Sequence, residues 1–245
     1  MHNLVKCSLA SAREFMQRCT AVFRGLVGSA VLAASLFCGA AKVSAADYVY
    51  SFTNTFSGTS PSNSGPWMEV WFHDVTPGTV SLTISNIGLS GTEFISGLYL
   101  NLNTNFAAPS LSFQYLGGNG AAPTNILTGL NQFKADGDGK YDILFDFDTT
   151  SSSRFEAGEY LTYQITGIAS LNVSDFNYLS APAGGAGPFL AAAHVQSIGP
   201  NGDSGWMRPG SFDPITHTVP EPTCATLLAA CSGLVLYAWR RKTTS

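Results

Sequence analysis

The chain has 245 residues and a formal net charge of −4, but residues 46–219 carry only Lys134, Lys140, Arg154 and Arg208 against fourteen acids, a net −10. An acidic body with no basic cluster argues against nucleic acid and anionic lipid as its partners. Cys7, Cys19, Cys38, Cys224 and Cys231 all lie outside that body, which excludes a disulfide, a nucleophilic cysteine or a thiolate metal site within it.

The N-terminal residues read as a secretory leader. Residues 25–41 are small or apolar, follow Arg18 and Arg24, and lead into Val43-Ser44-Ala45. Small side chains at Val43 and Ala45 suit signal peptidase, with cleavage after Ala45. Leu36 and Phe37 put bulk in the wrong places for lipidation of Cys38. Residues 1–45 exceed the usual leader length of about 15–30, whereas a start at Met16 gives a leader of ordinary length.

From residue 46 the rhythm is two. Tyr48, Tyr50 and Phe52 alternate with Val49, Ser51 and Thr53. Val80, Leu82 and Ile84 follow the same pattern, as do Leu98, Leu100 and Leu102, then Leu111, Phe113 and Tyr115. Tyr141, Ile143, Phe145 and Phe147, then Leu161, Tyr163 and Ile165, continue it, and residues 189–198 read as a further strand. Pro77-Gly78, Gly117-Gly118-Asn119-Gly120 and Asp136-Gly137-Asp138-Gly139 supply turns between them. Residues 57–66 and 181–188 read as loops, and Ser174 as the cap of one helical turn. Short alternating strands at this spacing predict an all-β domain over residues 46–198, an antiparallel β-sandwich or jelly roll. Residues 199–218, rich in Gly and Pro, read as a tether.

Candidate chemistry within the body is sparse. In Trp67-Met68-Glu69-Val70-Trp71-Phe72, strand alternation puts Trp67, Glu69 and Trp71 on one face. The two indoles would stand about 13 Å apart, and rings flanking a carboxylate suit stacking on sugars; the alternative is that both faces are buried. His73 beside Asp74 has the form of a base oriented by a carboxylate, but such a pair also ends ordinary strands. His194 and His217 share no ligand spacing with it. Glu69, Glu93, Glu156 and Glu159 offer carboxylates for glycoside hydrolysis without marking two that converge.

Asp136, Asp138 and Asp142 can be aligned to the third, fifth and ninth positions of an EF-hand-like Ca²⁺ loop, with Gly139 at the sixth. Lys134 stands where the first acid belongs and Phe145 where the closing glutamate belongs, so a plain Asp-Gly hairpin is preferred. That hairpin would turn Asp142 and Asp146 to solvent. No other cofactor is implied.

Residues 219–245 form the last element. Val219-Pro220-Glu221-Pro222 is held extended by two prolines. A largely apolar run of sixteen residues follows, 224–239, then Arg240-Arg241-Lys242. As a helix the apolar run would reach roughly 24 Å, a short membrane anchor with its basic end in the cytoplasm. The order of these parts resembles the PEP-CTERM sorting signal of exported Gram-negative bacterial proteins. The resemblance implies recognition by exosortase, a membrane cysteine transpeptidase, and cutting near Pro220–Pro222. Cys224 is not part of that pattern. The tracts 94–102, 134–147 and 191–196 are also similar to tracts of other exported PEP-CTERM proteins, which implies no activity.

Together these features predict a non-enzymatic protein of the cell envelope, outer surface or secreted matrix. Its expected partners are signal peptidase, exosortase and extracellular polysaccharide. The alternatives are a glycan-binding module or a glycosidase or lyase of the same compartment.

Overall fold

The computed structural model describes residues 46–136 and 139–216. The expected leader, with Val43 and Ala45, and the expected sorting signal, with Val219, Pro220, Glu221, Pro222, Arg240, Arg241 and Lys242, lie outside the described residues, as do His217 and Asp138.

Among the described residues twelve strands build one antiparallel sheet. They are β1 (Ala46–Gly58), β2 (Met68–Thr76), β3 (Thr79–Ser85), β4 (Phe94–Leu100), β5 (Ser112–Gly118) and β6 (Asn125–Ala135), then β7 (Gly139–Asp146), β8 (Phe155–Glu156), β9 (Tyr160–Thr166), β10 (Ala181–Pro182), β11 (Ala191–Ile198) and β12 (Asp203–Thr216). The hydrogen-bonded path runs β7-β4-β11-β12-β1-β2-β3-β9-β5, with β6 on β7, β10 beside β7 and β8 beside β4. Among the described residues the only helices are two 3-10 turns, and no helix is long and apolar enough to cross a membrane.

The segment expected to be a tether is the largest departure from the sequence reading. Residues 203–216 form the fourteen-residue strand β12, at the centre of the sheet between β11 and β1. Pro209 and Gly210 sit where the pairing with β1 slips on either side of Phe52, and a further slip follows Thr55, while Pro214 pairs with Tyr48 in regular register. Bulges absorb residues that a regular ladder would reject.

β1 and β12 act as a spine. The first half of β1 pairs with β2, while the start of β12 pairs with β11, so each half of the sheet hangs from a different stretch of the two long strands. The halves then face each other. Phe145 of β7 meets Phe113 of β5 at 5.5 Å and Tyr163 of β9 at 5.6 Å between ring centroids, although these strands stand at opposite ends of the path. The result is a sandwich-like, folded-over sheet.

The inward residues are those that the alternation marks: Tyr50, Phe52, Val80, Leu82, Ile84, Leu98, Ile143, Phe145, Leu161 and Ile165 are all buried. The main core is furnished by residues between Tyr50 and Met207, so this domain carries its own core. Fully burying each such side chain contributes about 1.5–3 kcal/mol.

One end of the core is plugged by the 3-10 turn Val173–Phe176. Its cap is Asn172, not Ser174 as the sequence suggested, because Asn172 accepts from the Ser174 amide while Asp175 accepts from the Asn172 amide. Phe176 then stacks on Phe72 at 4.6 Å, and its carbonyl accepts the Tyr50 hydroxyl at 2.6 Å. Burial pushes the Tyr50 phenol far above its usual pKa.

Candidate functional site

β2 sorts its side chains by parity. Met68, Val70 and Phe72 are fully buried, and Glu69, Trp71 and His73 point outward. Its hairpin to β3 closes on Pro77-Gly78, where Gly78 takes a φ of 80°. A Cβ there would lie 2.8 Å from the Ala169 carbonyl oxygen, so only glycine fits this turn.

The outward residues of β2 fall into cross-strand rows with their neighbours. His73 lies between Asp47 of β1 and Ser81 of β3, Trp71 between Val49 and Thr83, and Glu69 between Ser51 and Ser85. β9 extends the lower two rows with Thr162 and Tyr160. These rows line an open groove of about 440 Å³. Trp71 and Tyr160 are 40% and 46% exposed, which leaves ring surface free in it. The Trp71 indole N–H donates to Glu69 Oε2 at 3.1 Å, and Ser51 Oγ donates to Glu69 Oε1 at 3.5 Å. The ring is therefore held by its polar edge. Thr83, in the groove, shares a hydroxyl hydrogen bond of 3.1 Å with Thr162 of β9.

This geometry corrects the expected Trp67–Glu69–Trp71 platform. Trp67 precedes β2, is only 7% exposed, and donates its indole N–H to the Asn63 carbonyl at 2.5 Å. Its amide also bonds to the Phe52 carbonyl, so the chain has bent into the core before the strand begins. Trp67 anchors a loop. Tyr160, Asp47 and the β3 hydroxyls take its place on the face. Tyr160 was legible as the outward neighbour of Leu161, but its approach to Trp71 depends on β3 pairing with β9, a contact remote in sequence.

The other candidate groups are dispersed. His73 Nδ1 pairs with Asp47 Oδ1 across the β1–β2 ladder, while the expected partner Asp74 accepts from the Val173 amide at 2.9 Å. A strand sends consecutive side chains to opposite faces, which separates His73 from Asp74. Ser81 sits beside His73, and the β2 backbone from Glu69 to His73 is committed to ladders on both sides. Glu93 is buried and accepts from the Ser62 and Ser90 amides; Glu159 accepts from the Glu156 amide in the turn before β9. Asp47 and Glu69 are four residues of strand apart, roughly 13 Å at about 3.3 Å per residue. Paired glycosidase carboxylates stand about 5–9.5 Å apart.

Of the aspartates aligned to a Ca²⁺ loop, Asp142 is buried rather than solvent-facing. Its two oxygens accept from the Leu102 amide at 3.1 Å and the Asn131 amide at 2.8 Å. Asp136 is exposed in a left-handed turn conformation (φ 44°) between β6 and β7. Asp142 faces inward because residues 129–132 bulge out of β6 opposite it, leaving amides that need an acceptor. Among the described residues no three metal-ligating side chains cluster.

No family model, no curated protein and no solved structure matches the chain. The groove therefore has to be interpreted from its own chemistry.

Proposed function

We propose that the chain is an exported Gram-negative envelope protein, sorted by exosortase, whose domain holds extracellular polysaccharide without cleaving it. We take the domain to be a jelly-roll type of β-sandwich, since β1 and β12 pass between the two halves of the sheet. The observation that carries the binding reading is Trp71, open in a hydroxyl-lined groove with its indole edge held by Glu69.

An indole face stacks on the apolar face of a pyranose, and the surrounding hydroxyls and carboxylate exchange hydrogen bonds with its hydroxyls. Two strands and two residues separate Trp71 from Tyr160, roughly 12 Å from strand spacing and rise. An oligosaccharide, not a single sugar, spans that gap. The groove carries Asp47 and Glu69 and no Lys or Arg, which favours neutral or amino-bearing glycans and disfavours polyuronates.

The test is binding of residues 46–216 to neutral, amino and uronic polysaccharides, with release of reducing ends followed in parallel. Retention of a neutral or amino glycan without products supports the reading; product formation transfers it to the glycosidase or lyase class. The sorting half is tested by intact mass of the protein from its host. A C-terminus near Pro220–Thr223 supports exosortase processing, and one at Ser245 leaves a plain membrane anchor.

A further inference from the structure

We propose that the outer edge of β5 is a self-association site, where a second copy of this chain adds antiparallel, β5 against β5. The hydrogen-bonded sheet has two ends. Among the described residues β5 pairs only with β9, and β6 only with β7. An edge strand offers a row of backbone donors and acceptors, and proteins ordinarily guard it with charge, proline or a bulge.

Charge is missing here. Residues 94–133 contain no Asp, Glu, Lys or Arg; β5 falls wholly inside that stretch, and β6 carries only Lys134, near its end. β6 is guarded by another device: residues 129–132 bulge between the pairs Thr128–Ile143 and Phe133–Tyr141, held by the Asn131 amide on Asp142. In β5 the only slip comes at Leu116; its first four residues pair with Thr166 to Tyr163 without one and leave a regular outer edge. Tyr115, the last of these four, and Leu116 after it are 48% and 54% exposed.

The occupant follows from charge. The body carries −10, so two copies repel one another at most approaches, and this edge is where like molecules meet without opposed acids. A charged peptide would find nothing on β5 to pair with. Two β5 strands related by a twofold axis form an isologous junction, each supplying the same backbone row and the same Tyr115 and Leu116. The junction would also make one continuous sheet whose two β1-β2-β3-β9 grooves open on the same side, although the self-association does not depend on what those grooves bind.

Sedimentation of residues 46–216, with amide hydrogen exchange at low and high concentration, tests this. The expected result is a concentration-dependent dimer and protection of residues 112–116 that rises with it. Leu116→Glu should weaken self-association by about tenfold or more, since it places an acid at the uncharged edge of two molecules that already repel, while Val75→Glu, on exposed β2 surface, leaves it unchanged. Gln114→Lys serves as a second disrupting variant if Leu116→Glu unfolds. A monomer at all concentrations, a dimer insensitive to both edge variants, or protection of 112–116 that ignores concentration would overturn the proposal.

Discussion

The two outward faces of this sheet carry the same kind of residue with opposite outcomes. On β2 an outward Trp71 stands open among hydroxyls. Across β4, β11 and β12 an outward Trp206 is closed in by its neighbours: His194 stacks on it at 4.4 Å, Tyr99 lies at 5.5 Å and Phe56 at 6.4 Å. Tyr141 joins that second cluster at 5.7 Å from Tyr99 instead of the main core. Aromatic rings on an outward face thus become a second small core when ring neighbours surround them. They stay exposed when the neighbours are Ser and Thr.

The largest expected effect separates inside from outside on one strand. Phe72→Ala should cost about 3–5 kcal/mol of unfolding free energy, since it empties a packed site against Tyr50 and Phe176. Trp71→Ala, one residue away, should stay within about 0.5 kcal/mol. Urea denaturation of residues 46–216 measures both, and a large loss at Trp71 would mean the groove is part of the core.

Trp206→Ala should fall between them, about 1–3 kcal/mol, because three ring contacts go with it. The same denaturation reads it, and a value no larger than that of Trp71→Ala would erase the distinction between the faces.

A smaller effect is set by pH. Burial against Trp206 lowers the His194 pKa below its ordinary 6.5, partly opposed by the Asp136 charge, and Ser96 bonds Nδ1 at 2.8 Å. The unfolded chain then binds the proton first as pH falls. Stability contributed by neutral His194 is complete above 6.5 and lost as pH drops from there toward the lower folded value. Melting temperature followed across that window should fall in the native protein and flatten in His194→Gln. Equal slopes would place the sensitivity elsewhere.

The strand alternation was legible because period two survives at Val80-Leu82-Ile84 and Leu161-Tyr163-Ile165 whatever lies beside them. Two elements were not. β12 hides behind Gly205, Pro209 and Gly210, which tolerate a bulged central strand but read as linker. β6 hides because four of its residues leave the ladder, and the acceptor that makes this possible, Asp142, comes from the next strand. The site was half legible. Parity identified Glu69 and Trp71, but Tyr160, Asp47 and the β3 hydroxyls join them through pairings that depend on sheet order. Trp67 misled because parity was carried one residue past the start of the strand, where the chain already turns inward.

The most direct test of the polysaccharide-holding reading is binding of one neutral or amino-bearing oligosaccharide to three matched forms of the domain: native, Trp71→Ala and Trp206→Ala. The expected result is affinity reduced about tenfold or more, ~1.4 kcal/mol, by Trp71→Ala with its melting temperature unchanged. Trp206→Ala should lower the melting temperature and keep native affinity in the folded protein. Undiminished binding by Trp71→Ala, or equal losses from the two variants, would contradict the assignment of the β1-β2-β3-β9 face.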